Sequence, residues 1–433
     1  MRLIPPARGL KVFASLLLLS SLTAFAQGEG KKFTFTTKSK EAREAAEKLV
    51  WMIESFTAGG PDSLALAQKA VAADPDFAFG HYFVATFTPP PQGAPPPQPG
   101  TPNPLLVKAV EMAKNASDGE RRYIEAVALV RSGKAAEAVP LLKQLAADYP
   151  GERMVRMMLG QATINQNPEE GRAHFEAALK LDGSTPRVYS FLGNYYLIKG
   201  DYAKAREMYQ ASLQRKAKDT APFGPGYGLA YTYVYEGNIP AALKALQQFQ
   251  DDYVKSPGAQ QFPPVFVWNS IARLQLENGQ PEEAIKSYEK GYATVPGSPL
   301  PEDQKMIWLG RLHHGRGRAL AKMGKHAEAW KEAEAVKKMI DEGGEQGKQF
   351  MPSYHYIAGY LKLEAGDYAQ AIEHLKQSDP DTDPFRKLLL ARAYEKKGDA
   401  ENSQKLYKEI TNYRVIDLER ALSLPEARKK LKS

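Results

Sequence analysis

The chain has 433 residues, 43% of them apolar and 25% charged, the composition of an ordinary soluble globular chain. It contains no cysteine, which excludes disulfides, thiolate metal sites, iron–sulfur clusters and cysteine nucleophiles. The formal net charge is +8. Arg2, Arg8 and Lys11 lie in a segment that looks removable, and the remainder is too mildly basic to argue for nucleic acid.

Residues 1–26 begin with those three cations, continue through an apolar run from Val12 to Leu22, and end on Ala24-Phe25-Ala26 before Gln27. This is the pattern of a signal peptide. A membrane span needs about 20 predominantly apolar residues, more than this run supplies. The expectation is an exported protein, periplasmic or secreted, that starts at Gln27 and keeps no membrane span. Residues 27–39 read as a linker. Residues 40–117 read as two degenerate helix pairs, Lys40–Ala58 with Ser63–Ala73 and Phe77–Phe87 with Leu105–Ala116. A Pro-rich loop at 88–104 interrupts the second pair, and nine of the 16 residues from Pro89 to Pro104 are proline. Proline lacks the amide hydrogen and clashes with the preceding turn, so this stretch must leave the helical path. A loop of that length costs little, which makes it a tolerated polyproline-type insertion rather than a ligand for a proline-binding module.

From residue 118 to 413 the pattern becomes periodic. Pairs are expected at Glu120–Ser132 with Ala135–Tyr149 and at Arg153–Ile164 with Glu169–Leu181, and then around a series of glycines. Gly133, Gly200, Gly237, Gly279, Gly324, Gly366 and Gly398 each stand where one helical pattern stops and the next starts, at a period of about 34 residues stretched by short insertions. Glycine there permits a left-handed backbone that ends the first helix. Asp201, Asp367 and Asp399 follow such glycines and can cap the second helix. Small residues such as Gly193, Ala205, Ala272, Ala284 and Gly359 recur at positions where helices can approach closely. Tyr196, Tyr202, Tyr209, Tyr288, Tyr368, Tyr394 and Tyr407 are placed to fill the holes beside them. Residues 414–433, rich in Arg and Lys, read as a capping helix and tail, since a terminal repeat needs a polar outer face.

Two units carry a recognisable signature. One reads Tyr189-x2-Leu192-Gly193-x2-Tyr196, then Ala205-x3-Tyr209; the other reads Trp268-x2-Ile271-Ala272, then Ala284-x3-Tyr288, then Pro296. Both resemble the tetratricopeptide repeat. With the runs Ala67–Asp76, Asp118–Ala126 and Leu141–Pro150, the chain is similar to exported bacterial multi-repeat proteins of that type. The resemblance implies an all-α, right-handed α-solenoid of about nine to ten helix hairpins whose concave groove binds a protein or peptide. In this family the first helix of each pair lines the concave wall. Carried onto this chain, that wall holds Tyr123, Ser190, Asn194, Tyr227, Tyr231, Asn269, Arg273, His314, Arg318, Tyr356, Tyr360 and Arg392. Arginine grips carboxylates with two parallel hydrogen bonds, and tyrosine adds contact area and a hydroxyl. The wall therefore suits an extended, somewhat acidic peptide, with a glycan as the alternative. Joint replacement of Arg273 and Arg318 by Ala is expected to weaken capture with little loss of melting temperature.

Catalytic and cofactor motifs are absent from the sequence. His313 and His314 are adjacent and diverge by about 100° on a helix, so they cannot share a metal. Gly224–Gly228 follows no strand pattern and opens a helix instead of holding a nucleotide. No G-x-S-x-G elbow occurs. The mixed charges of Glu41–Glu54 and the lysines of 429–432 read as solvated helix faces. The expectation is an interaction scaffold that is not an enzyme and needs no cofactor.

Overall fold

The structure is a computed structural model that describes residues 30–89, 101 and 103–432. The signal peptide expected at 1–26 and most of the Pro-rich loop expected at 88–104 lie outside the described residues. Every regular element among the described residues is a helix. The first eight are α1 (Lys40–Glu54), α2 (Gly60–Ala73), α3 (Ala78–Phe87), α4 (Pro104–Ala113), α5 (Asp118–Arg131), α6 (Ala135–Asp148), α7 (Arg153–Thr163) and α8 (Pro168–Leu181). Next come α9 (Pro186–Lys199), α10 (Tyr202–Arg215), α11 (Phe223–Tyr235), α12 (Ile239–Tyr253), the single turn α13 (Gly258–Gln261), α14 (Val265–Glu277) and α15 (Pro281–Tyr292). The chain continues through α16 (Glu302–Lys322), α17 (His326–Glu342), the single turn α18 (Gly344–Gly347), α19 (Met351–Glu364), α20 (Tyr368–Lys376), α21 (Pro384–Lys397), α22 (Ala400–Ile410) and α23 (Leu418–Lys430). No helix among the described residues is long and apolar enough to cross a membrane.

Nine consecutive pairs pack as hairpins: α1/α2, α5/α6, α7/α8, α9/α10, α11/α12, α14/α15, α16/α17, α19/α20 and α21/α22. The turns that make them follow from their residues. All seven turn glycines have φ between 74° and 90°, a left-handed conformation that costs glycine nothing and any residue with a Cβ strain. The aspartates that follow do cap the second helices. Asp201 Oδ1 accepts from the Lys204 amide at 3.0 Å, Asp367 from Gln370 at 3.3 Å and Asp399 from Asn402 at 3.1 Å. Each cap stabilises its helix by about 1 kcal/mol.

Inside the hairpins, ring fills hole. A Cβ placed on Gly193 of α9 would stand 2.5 Å from the Tyr209 ring, and one on Gly228 of α11 would stand 2.3 Å from the same ring. Tyr209 is thus clasped by the first helices of two successive hairpins and is fully buried. Tyr288 packs in the same way against Gly315, and Phe175 against Gly160. Tyr407 is fully buried as well, whereas Tyr196, Tyr202, Tyr368 and Tyr394 are only partly covered. Small-against-large packing at the crossing brings the axes close enough to exclude water. The fold class is an all-α solenoid of stacked hairpins.

The described residues form two compact units. One comprises residues 30–38, 74–85, 101 and 103–183; the other comprises residues 39–73, 86–89 and 184–432. In the first unit, residues 30–37, expected within a linker, form a strap. Phe33 enters an aromatic cluster with Phe79, Tyr123 and Tyr149 at ring distances of 5.8–6.2 Å. The Thr36 amide donates to Glu120 Oε2 at 2.6 Å, and Gly151 donates to the Lys31 carbonyl at 3.1 Å. In the second unit, α1 is held by Arg187 of α9, which donates to the Ile53 carbonyl at 2.5 Å and lies 4.6 Å over the Phe56 ring.

Candidate functional site

Five of the helices that open hairpins in the second unit, α11, α14, α16, α19 and α21, turn their inner side chains toward one another. Arg273 of α14 donates from Nη1 to the Tyr356 hydroxyl of α19 at 3.1 Å, and its guanidinium lies 4.0 Å over the Phe385 ring of α21. Arg318 of α16 donates to the same Tyr356 hydroxyl at 3.1 Å and to the Tyr288 hydroxyl of α15 at 3.3 Å. Side chains from hairpins two and three steps apart therefore meet directly, where an extended groove would have kept them apart.

The last helix closes the space further. Residues 414–433 are expected to cap the end of the stack, yet α23 packs against α11 as well as α21 and α22. Leu418, Ala421 and Leu424 join the apolar cluster of Tyr231, Val234 and Tyr235. Arg420, 2% exposed, donates to the Tyr235 hydroxyl at 2.7 Å, and Arg428 donates to the Tyr202 hydroxyl of α10 at 3.3 Å. In the same C-terminal part of α23, Glu426 takes a two-pronged hydrogen bond from Arg392 of α21, at 2.9 and 2.5 Å. The reason is the apolar stripe at 418, 421, 424 and 427, which a helix exposes on one face and must bury.

What remains open is a cavity of about 460 Å³. Seven of the residues assigned to the wall line it: Tyr227, Tyr231, Asn269, Arg273, His314, Arg318 and Tyr356. Tyr227 and Tyr231 come from α11, Asn269 and Arg273 from α14, His314 and Arg318 from α16, Tyr356 from α19. The other assigned residues lie elsewhere. Tyr123 belongs to the buried aromatic cluster of the first unit. Asn194 accepts the Tyr209 hydroxyl at 2.8 Å, and Ser190 is buried. Tyr360 is 1% exposed with no hydrogen-bond partner for its hydroxyl. Arg392 is committed to Glu426.

The cavity also holds residues that the wall assignment lacks. Arg311 stands one turn before His314 and two before Arg318, on the same face of α16, so helical spacing alone could have found it. Arg386, Asp383, Asp417 and Glu419 come from the starts of α21 and α23. Asp383 and Asp417 are legible in the sequence as helix caps, and they do cap, accepting from Phe385 and Arg420 amides at 2.8 Å each. Nothing local says that these caps face arginines from helices about 100 residues away.

The electrostatics are unbalanced. Arg273 and Arg318 are each only 5% exposed. Arg273 has one carboxylate at ion-pair distance, Glu277 at 3.4 Å, while its Nη2 is buried without a partner. Arg318 donates only to neutral oxygens, the two tyrosine hydroxyls and the His314 carbonyl. Arg311 lies 4.5 Å over the Trp308 ring and forms no ion pair among the described residues. Burial, reinforced by Arg318 and Arg273, holds His314 well below the ordinary imidazole range, so it is neutral and its Nε2 is unpartnered. Burial raises the Glu419 carboxyl, Asp383 and Asp417 add to that, and Arg273 opposes it. Among the described residues no group of three or more His, Asp or Glu could hold a metal ion.

Stacked helical hairpins with left-handed glycine turns and small-against-aromatic crossings define a class, the helical-repeat proteins, which act as interaction scaffolds. Comparison adds a likeness to one family. Residues 123–163, 165–222 and 227–299 match the tetratricopeptide repeat profile, so repeats of that kind are recognised over those residues. No curated protein matches the chain. Among solved structures, a tetratricopeptide repeat protein from Parabacteroides merdae is similar at 17% identity, covering 64% of this chain and 98% of its own with a TM-score of 0.45. The C-terminal part of a repeat-containing protein from Cytophaga hutchinsonii aligns at 17% identity over 62% of this chain and 98% of its own, TM-score 0.42. YrrB, described as a tetratricopeptide repeat protein with an unusual peptide-binding site, aligns at 16% identity over 48% of this chain and 96% of its own, TM-score 0.33.

Proposed function

We propose that this chain is an exported interaction scaffold whose second unit recognises an acidic segment of a partner polypeptide in the arginine-lined cavity. Export is supported by the leader pattern of residues 1–26. Recognition is supported by one observation above the rest: Arg318 is buried, Arg311 stands two turns before it on the same face of α16, and neither forms an ion pair with a carboxylate among the described residues. A buried cation without a counter-charge is costly, and an anionic ligand removes that cost. The cavity's size suits a few residues rather than a peptide running the length of the stack.

Arg311 offers the cleanest test, because it forms no ion pair among the described residues and its loss leaves the packing intact. A fluorescently labelled glutamate-rich hexapeptide should bind the wild-type chain with an affinity that falls as salt rises. Arg311→Gln should weaken it by roughly tenfold with an unchanged melting temperature. Equal binding by both proteins would remove the cavity from the reading. The aromatic side of the same cavity, Tyr227, Phe266 and Trp308, supports a second reading in which a sugar ring stacks there. Capture on a glycan array that Trp308→Ala abolishes would favour it.

A further inference from the structure

Granted that the cavity is where a partner is recognised, its charges say more about that partner. The cavity arginines that form no ion pair, Arg311 and Arg318, come from α16, and Arg273 of α14 keeps one guanidinium nitrogen unpartnered beside Glu277. The carboxylates that lack arginines come from the starts of α21 and α23. Asp383, Asp417 and Glu419 line the same cavity as Arg273, Arg311 and Arg318. Opposite charges in one small space ordinarily collapse into ion pairs. Here Glu419 forms none among the described residues, although it is close enough to act on both Arg273 and Arg311. Asp383 is paired with Arg386 at 3.3 Å, which leaves Asp417 and Glu419 as the acidic surplus.

Two further facts show that the gap is built. Arg273 Nη2 and His314 Nε2 belong to side chains more than nine-tenths buried, line the cavity and have no hydrogen-bond partner. The Asp417 and Glu419 carboxyls are both held above the ordinary carboxylate range, chiefly by burial, so a cation beside them would stabilise their charged forms. The rigid helices hold the two sets of charges apart, and each set is short of a partner.

We infer that the cavity takes a zwitterionic group, a carboxylate on the side of Arg273, Arg311 and Arg318 and an ammonium a few ångströms away on the side of Asp417 and Glu419. Two sources carry that chemistry. One is the acidic amino-terminal residue of a polypeptide, whose α-ammonium and side-chain carboxylate are so spaced. The other is a free acidic amino acid. Hydrogen bonds from a charged group to a charged group are the strong ones, and a site that completes both pairs discriminates sharply against a ligand lacking one.

The test uses the full chain and fluorescence anisotropy. One probe is a labelled hexapeptide that begins Glu-Glu with a free amino terminus; the other is the same peptide N-acetylated. The free peptide should bind roughly tenfold more tightly than the acetylated one. Glu419→Gln, which keeps the side chain's shape, should shrink that ratio below about twofold while leaving the acetylated peptide's affinity unchanged. Displacement of the free peptide by millimolar L-glutamate assigns the source to the amino acid, and resistance assigns it to a polypeptide terminus. Equal affinities for the two peptides, both lost in Arg311→Gln, would overturn the ammonium side and leave the acidic partner standing. Failure of both peptides to bind would overturn both readings.

Discussion

Tyr356 accepts a hydrogen bond from two arginines, Arg273 and Arg318, on one hydroxyl. That places both cations in the tertiary framework of the second unit as well as in the cavity wall. The sequence-based expectation that both could be replaced with little loss of stability therefore fails on packing grounds. Removing Arg318 leaves the Tyr288 hydroxyl without its donor, takes one of two donors from the Tyr356 hydroxyl, and opens space between α15, α16 and α19. Arg318→Gln should lower unfolding free energy by about 2 kcal/mol, as expected when buried hydroxyls lose a hydrogen-bond donor. Chemical denaturation measures this, and a loss below about 1 kcal/mol would show that the arginine is held only at the surface of the network. A loss of binding in that variant would mix two effects, which is why Arg311 is the better probe of recognition.

At the scale of the element, α23 decides the character of the site. Its basic last turn, Arg428 to Lys430, reads in isolation as a solvated end. Its other face carries Leu418, Ala421, Leu424 and Ala427, all buried. Leu424, 1% exposed, packs into the cluster formed by α11 and its neighbours and does not line the cavity. Leu424→Ala should therefore cost about 2–5 kcal/mol through the lost burial and the void left behind. A helix that merely covered the end of the stack would tolerate the change with a loss under about 1 kcal/mol in the same denaturation measurement. The hairpin elements, by contrast, are governed locally. Gly200 and Asp201 between α9 and α10 stop one helix and start the next with no help from distant residues.

At the scale of the molecule, pH reports on the packed interior. His314 is held well below its ordinary value of 6.5 because burial and surrounding arginines disfavour its charge. The unfolded chain takes up a proton near pH 6.5 and the folded chain does not. The neutral histidine's contribution is therefore complete above that pH and is lost as pH falls below it. His355 and His374, 3.0 Å apart and also lowered by burial, act in the same direction. Asp417 and Glu419, raised in the folded state, act oppositely as pH falls from their raised values toward the ordinary carboxylate range. The melting temperature should thus fall between pH 7.5 and 5.5, and His314→Gln should flatten the fall. A wild-type curve as flat as the variant's would mean that the histidine is open to solvent.

The residues alone determined what repeats: the period of the glycines, the caps that follow them, the small positions that admit a tyrosine, and hence an all-helical stack of hairpins. The resemblance to a helical-repeat family, joined to helical spacing, assigned to the inner face of first helices the seven residues that line the cavity. Tertiary structure alone decided that those faces meet each other and that the last helix turns inward. It also set arginines of α14 and α16 opposite carboxylates at the starts of α21 and α23. The physical reason is one of range. Turns and caps involve groups within about five residues of each other, so the local sequence specifies them. The curvature that brings helices 100 residues apart into contact accumulates from small rotations at every hairpin interface, and no single stretch of sequence records that sum.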